Sequence, residues 1–360
     1  MPSSSVWTAY DLGSAGYTEA SAIAEGMMKG SPIKVRIVPS GTSIGRLLPL
    51  KQGRANYGFL ANELYFAAEG LYDFAAQSWG PQDVRVVLAR PTSNGLCFAK
   101  DTDAKTMKDI KGKRIGYVKG NPSVNVKNAG YVAFAGLTEK DIEPVWFGSY
   151  NAMKTAVINN QLDGFSSVTT SANMREIEAS PRGLTWLPFP ASDTEGWARM
   201  NKILDFLEPR RETRGAAIPK EGVDLIGMRY PMITTYAATS ADEVYAMCEA
   251  VEANMVAISA GTNTGDLWHP KNSGLPRADA PWHEGAIRYM KAKGYWTPAA
   301  EEWQAKRLAH MKKLQAAWPQ AQVAFQKLIA DEAKKGNRVE PAEDWEKFWL
   351  AFRDKALGVA

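Results

Sequence analysis

The chain has 360 residues, 45% apolar and 23% charged, so it is too long for one hydrophobic core and too apolar to be disordered or collagen-like. Lysine and arginine number 43 against 39 acidic residues, a net charge of +4, and this dispersed balance excludes a nucleic-acid footprint. No apolar run is long enough to span a bilayer, and two distant cysteines, Cys97 and Cys248, exclude a cysteine-rich metal centre or a disulfide scaffold.

Residues 6–10 (VWTAY) predict a strand, a polar turn follows at 11–16, and apolar residues at Tyr17, Ala20, Ile23, Ala24, Met27 and Met28 then take helical spacing. The same unit recurs with a strand at 35–38, a loop at 39–42, a short helix over 43–52 stopped by Gly53, and a strand at 57–60. A further strand is predicted at 84–89, and a strand at 95–99 starts a second series that continues with a strand at 114–118, a loop at 119–123 and a helix at 124–135. Thr138 and Asp141 have the spacing of a capping box, ahead of a strand at 145–147, a helix at 149–159 and a strand at 164–168. A strand at 226–236 precedes a helix over 240–259, with Ser240 as N-cap and Glu243 at N3. Two alternating series predict two parallel-rich α/β lobes, because sheets of this kind bury best under helices on both faces. The last sixty residues change character: Trp303, Leu308, Met311, Leu314 and Trp318, then Trp345, Phe348, Trp349 and Phe352, form an apolar stripe at helical spacing, most simply packed onto the preceding lobe.

In parallel α/β folds the loops after the strand ends converge on a crevice, where helix N-termini favour anions. Three loops combine glycine with hydrogen-bonding side chains: Gly13-Ser14-Ala15-Gly16-Tyr17, Ser40-Gly41-Thr42-Ser43 and Lys119-Gly120-Asn121-Pro122-Ser123. Any one of them is ordinary turn chemistry; their recurrence at one structural position in both halves points to a ligand. Gly41-Thr42-Ser43-Ile44-Gly45 also fits the G-x-S-x-G nucleophile elbow, so a serine hydrolase is the alternative, with Ser43, His283 and one of Asp163, Asp193 or Asp224 in the required chain order. Ser43 is equally accounted for as a capping hydroxyl. Metal and nucleotide motifs are missing, and the basic residues flanking the loops, Arg85, Arg90, Lys119 and Lys127, read mostly as solvated, with room for one of them to meet a carboxylate.

These phrases resemble the solute-binding proteins of TAXI-type TRAP transporters. The resemblance lies in Gly13–Tyr17 with Ala20–Glu25, in Ser40–Leu47 leading into Leu50–Gly58, and in Met107–Ile115 (MKDIKGKRI). It continues in Gly120–Ser123, Asp242–Tyr245 and Pro281–Tyr289 (PWHEGAIRY) ending at Lys293-Gly294, and covers residues 6–296. Two departures stand out. The family's glycine-serine-glycine loop is the stiffer Gly120-Asn121-Pro122-Ser123, and the helical tail after Thr297 is longer than the family leads one to expect.

The resemblance implies an α/β, two-lobed type II periplasmic-binding-protein-like fold. Lobe I is expected at 1–92 plus 238–296, lobe II at 93–237 and the helical extension at 297–360 on lobe I, with hinge crossings near Arg90–Cys97 and Ile226–Ala238. It implies a secreted periplasmic receptor, its signal peptide absent from this sequence, that is not an enzyme, needs no cofactor or metal and acts as a monomer. Its partners are a small organic acid and the TRAP membrane subunits, with no nucleic acid and no membrane insertion. Gly41, Thr42, Ser43 and Ser123 suit a carboxylate, as does Arg90. Tyr17, Asn62, Glu63, Asn94, Asn121, Tyr150, Thr169 and Thr170 lie at loop openings that read the rest of the solute. Glu63 would repel an anion unless neutralised, and reads first as a solvated acid at a helix start. His283 falls in a phrase that looks structural. Twelve tryptophans hint at an aromatic solute, although Trp303, Trp318, Trp345 and Trp349 belong to the tail.

Overall fold

The computed structural model describes residues 3–30, 33–273 and 280–359. It opens with β1 (Ser4–Ala9), α1 (Ala15–Gly30), β2 (Lys34–Pro39), α2 (Ser43–Lys51), β3 (Tyr57–Leu60) and α3 (Glu63–Glu69). The long strand β4 (Val84–Phe98) leads into β5 (Arg114–Val118), α4 (Pro122–Phe134), β6 (Glu143–Phe147), α5 (Tyr150–Ile158), β7 (Gly164–Val168) and α6 (Ala172–Ala179). Then come β8 (Thr185–Trp186), α7 (Thr194–Asn201), β9 (Glu208–Glu212) and a second long strand, β10 (Val223–Tyr236). Five helices finish the chain: α8 (Ala241–Ala253), α9 (Met255–Gly261), α10 (Glu284–Ala292), α11 (Pro298–Lys334) and α12 (Pro341–Leu357).

The sheet order β2-β1-β3-β10-β4-β7-β5-β6 holds the same arrangement twice. In each half the first strand of a series lies between the second and the third, all parallel: β1 between β2 and β3, and β5 between β6 and β7. The antiparallel pair β4 and β10 runs through both halves and joins them. The sequence predicts two separate strands, at 84–89 and 95–99; Pro91 lies between them and cannot donate to a ladder. A single strand forms because the register of β10 slips between Arg229 and Met232, so that the irregularity in the ladder absorbs the proline. Residues 232–234 of β10 pair with β3 of the first half and residues 223–227 with β9 of the second, so β10 changes lobe in its middle.

Close approach at the β4–β7 pairing demands glycine at 164, where a Cβ would lie 2.3 Å from the Cys97 carbonyl oxygen. Gly164→Ala should therefore cost about 1–3 kcal/mol, read as a lower urea midpoint at unchanged slope.

The capping box at Thr138 and Asp141 forms, but Ser240 makes no side-chain cap, and Glu243 instead accepts a hydrogen bond from Tyr57 Oη at 3.0 Å. The predicted helix over 240–259 breaks in two at Asn254. The tail helices pack against each other and onto the first lobe. Ala317, Ala321, Phe325, Trp345 and Trp349 form a small separate core with Ala75, while Trp345 Nε1 and Trp349 Nε1 donate to the carbonyls of Ala75 and Gly70, each at 2.7 Å. Glu69 anchors this contact. Its buried carboxylate receives Arg307 at 2.5 Å, His310 at 2.8 Å and Arg353. Among the described residues no helix is long and apolar enough to cross a membrane.

Candidate functional site

All six loops that follow the C-terminal ends of the parallel strands point to one crevice, three from each lobe, as open α/β sheets dictate. The loops touch directly. Ser43 N–H donates to the Gly120 carbonyl at 2.8 Å, Ser43 Oγ to Asn121 Oδ1 at 3.0 Å, and Asn121 Nδ2 back to the Gly41 carbonyl at 3.2 Å. On the other flank Ser171 Oγ donates to the Gly13 carbonyl at 3.1 Å. Between these clasps lies a cavity with about 30 Å³ open to the centre of a water-sized sphere, room for about two waters, so the lobes are closed upon it.

The cavity wall carries one cation among the described residues, Lys127, one turn into α4. The lysine is 4% exposed, and its ammonium donates to Asn62 Oδ1 of the first lobe at 2.9 Å and to Ser123 Oγ at 3.0 Å, so it already bridges the lobes. The starts of α1 (Ser14, Ala15), α4 (Val124), α5 (Tyr150) and α6 (Ser171) also line the wall and add the partial positive charge of helix N-termini. Ser166 Oγ, buried in the wall, has no protein partner. Asn94 is positioned by Tyr131, whose hydroxyl donates to its Oδ1 at 2.5 Å.

Three tyrosines form the aromatic part. Tyr10 makes edge contacts with Tyr150 and Tyr230, ring centroids 5.8 and 5.6 Å apart. Burial raises the pKa of each of them, for Tyr10 against the opposing charge of Arg46, so all three hydroxyls stay protonated near neutral pH. Tyr230 Oη accepts the Gly16 N–H at 3.1 Å and keeps its own hydrogen to donate. Behind Tyr10 sits a fully buried ion pair: Arg46 Nε donates to Glu63 Oε1 at 2.8 Å, and the guanidinium lies 3.3 Å from the Tyr10 ring centre. Burial works against the Arg46 charge, but Glu63 and Tyr10 outweigh it and raise its pKa.

A family model described as NMT1-like matches residues 13–294. The chain belongs to the NMT1-like family. No curated protein matches it. Among solved structures, this NMT1-like chain is similar to MatC from Rhodopseudomonas palustris, solved with bound malate, at 14% identity and a TM-score of 0.52, over 85% of this chain and 99% of that one. It is also similar to the periplasmic aliphatic sulphonate binding protein SsuA from Escherichia coli, at 15% identity and a TM-score of 0.43, over 85% and 80% of the two chains. The two-lobed α/β fold with a helical C-terminal segment is thus the one expected from the sequence.

Of the residues singled out in the sequence, Asn94 and Tyr150 line the cavity. Asn62 and Ser123 stand one hydrogen bond behind it, through Lys127. Gly41, Ser43 and Asn121 make the interlobe clasp, and Thr42 caps α2 by accepting the Gly45 N–H at 3.1 Å. Glu63 is not a solvated acid; it is spent on Arg46. Arg90 is turned away from the cavity's chemistry, gripped by Glu19, which also takes Trp268 Nε1 at 2.6 Å. Thr169 Oγ1 donates to the Arg214 carbonyl at 2.8 Å, tying down the return strands, while Thr170 and Tyr17 lie outside the cavity lining. Ser43 has Asn121 and Arg46 as hydrogen-bond partners and no imidazole; His283 instead caps α10, its Nδ1 accepting the Gly285 N–H at 3.1 Å. Among the described residues no tryptophan lines the cavity.

Tyr10, Ser166, Ser171, Met228 and Tyr230 escaped the sequence reading as site residues, Ser14 was legible as part of the Gly13–Tyr17 loop, and Lys127 only as a flanking base. One signal was available: Ser123 and Lys127 are four apart and share a helix face. Tyr230 had none, because an antiparallel strand from 200 residues downstream brings it in.

Proposed function

We propose that this NMT1-like protein is a periplasmic solute-binding receptor that captures a small organic anion, a carboxylate in the first instance, between its lobes and delivers it unchanged to a membrane transporter. The observation that carries this reading is Lys127, a buried ammonium in a cavity walled by both lobes and ringed by helix N-termini. Contacts from both walls exist together only in the closed form, so a ligand that makes them shifts the open–closed equilibrium by its differential affinity. MatC, which shares the fold and was solved with malate, supports an acid as solute. For the carrier, the phrases at Met107–Ile115 and Pro281–Tyr289 favour the TRAP type.

A thermal-shift screen of organic acids, with mass spectrometry of any molecule that co-purifies, tests the receptor. A true ligand at a hundred times its Kd should raise Tm by roughly 3–6 °C. Stabilisation by no acid at all sinks the reading. Uptake into vesicles that requires both this protein and a sodium gradient supports a TRAP carrier, and uptake driven by ATP replaces it with another class.

A further inference from the structure

The size of the interlobe cavity and the donors in its wall together limit what it holds. Its open space of about 30 Å³ takes about two waters, so any occupant touches the polar groups around it. The lining keeps neutral donor hydrogens that no described residue accepts. Ser14 Oγ accepts the Tyr17 N–H at 3.2 Å and Tyr230 Oη the Gly16 N–H at 3.1 Å, which leaves each hydroxyl hydrogen to donate. Asn94 gives its Oδ1 to the Tyr131 hydroxyl and keeps its amide hydrogens, and the Ser166 hydroxyl has no partner. With the Lys127 ammonium this makes a donor-rich wall, and among the described residues it carries no carboxylate to pair with a cationic group. An ionised carboxylate only accepts, at about four lone-pair sites, so it suits these donors while Lys127 balances its charge.

The closure contacts set the length. Ser43 meets Asn121 on one flank and Ser171 meets the Gly13 carbonyl on the other, while Lys127 reaches across to Asn62. A solute longer than the space between them must hold the lobes apart and forfeit these bonds, whereas one that fits keeps them. Ala61, Val168 and Met228 leave apolar wall for a methyl group.

We infer that the ligand is a one- or two-carbon carboxylate, of the bulk of formate or acetate, and that the closed lobes select against chain length. This rests on the anion-receptor reading above and narrows it.

Isothermal titration of the full chain, dialysed free of small molecules, against formate, acetate, propionate, butyrate, succinate, glutamate and acetamide decides the matter. In an apolar pocket without a size limit each added methylene would tighten binding about fourfold, so the sign of the trend is diagnostic. The expected result is an optimum at formate or acetate and a loss of roughly tenfold or more by butyrate, with succinate, glutamate and acetamide weaker than acetate. Met228→Ala, which enlarges the cavity, should move the optimum to propionate or butyrate. Ser166→Ala, which removes no bond from the fold, should weaken acetate by about three- to tenfold without lowering the Tm of the ligand-free protein. An optimum at propionate or beyond in the parent, a flat series, or succinate or glutamate binding more tightly than acetate overturns this inference and leaves the anion receptor standing. Acetamide matching acetate, or no acid binding at all, overturns both.

Discussion

Replacing Lys127 by methionine should lower the affinity for an organic anion by about a hundredfold. The substitution keeps the unbranched stem of the side chain up to Cε and removes a charge-assisted hydrogen bond of about 2–3 kcal/mol, and every 1.4 kcal/mol is a factor of ten. The same change strips Asn62 and Ser123 of their shared donor, so the clasp between the lobes weakens as well. Titration with the preferred acid measures the first effect, and small-angle scattering, which separates open from closed lobes, measures the second. Circular dichroism checks that the variant folds. Affinity within threefold of the parent would remove Lys127, and with it the central electrostatic claim, from the site.

The second large effect belongs to Glu69, where the helical extension meets the first lobe. Burial pushes its pKa up, but the hydrogen bond from His310 and the charges of Arg307, His310 and Arg353 prevail and lower it from 4.5 to about 2. The folded value lies below the unfolded one, so the stabilisation is complete above about pH 4.5 and is lost as the pH falls towards 2. Its size is on the order of 3 kcal/mol. Glu69→Gln keeps the shape and leaves two guanidinium groups without their anion, at a cost of about 3–5 kcal/mol. The extension should loosen first, because its core with Ala75 is separate from the main one. The part of the tryptophan fluorescence that comes from Trp318, Trp345 and Trp349 should change at lower urea than the main far-ultraviolet dichroism transition. A variant within 1 kcal/mol of the parent, with the same acid midpoint, would show that the tryptophan contacts alone hold the extension.

Periodicity and turn chemistry located the strands at 57–60, 114–118 and 164–168 without error, because each is a short apolar run bounded by glycine or polar turns. They also announced the repeated half, which the β2-β1-β3 and β6-β5-β7 orders display. Where reading failed, the cause was a partner distant in sequence. The strands at 84–89 and 95–99 looked separate until β10 paired along one continuous β4, and Arg90 looked like a ligand until Glu19 took both arms of its fork.

The sequence by itself determined that two βα series exist, that their hydroxyl- and glycine-bearing loops share one structural position, and that the tail is an amphipathic helical appendage. These properties are local, set by backbone preference and the spacing of apolar residues. Only the tertiary structure decided that Lys127 faces the cavity, that Glu63 is neutralised and that Tyr10, Tyr150 and Tyr230 form its aromatic wall. Those assignments depend on which charges are paired after burial, and pairing in a desolvated interior is governed by distance in space, on which spacing along the chain is silent.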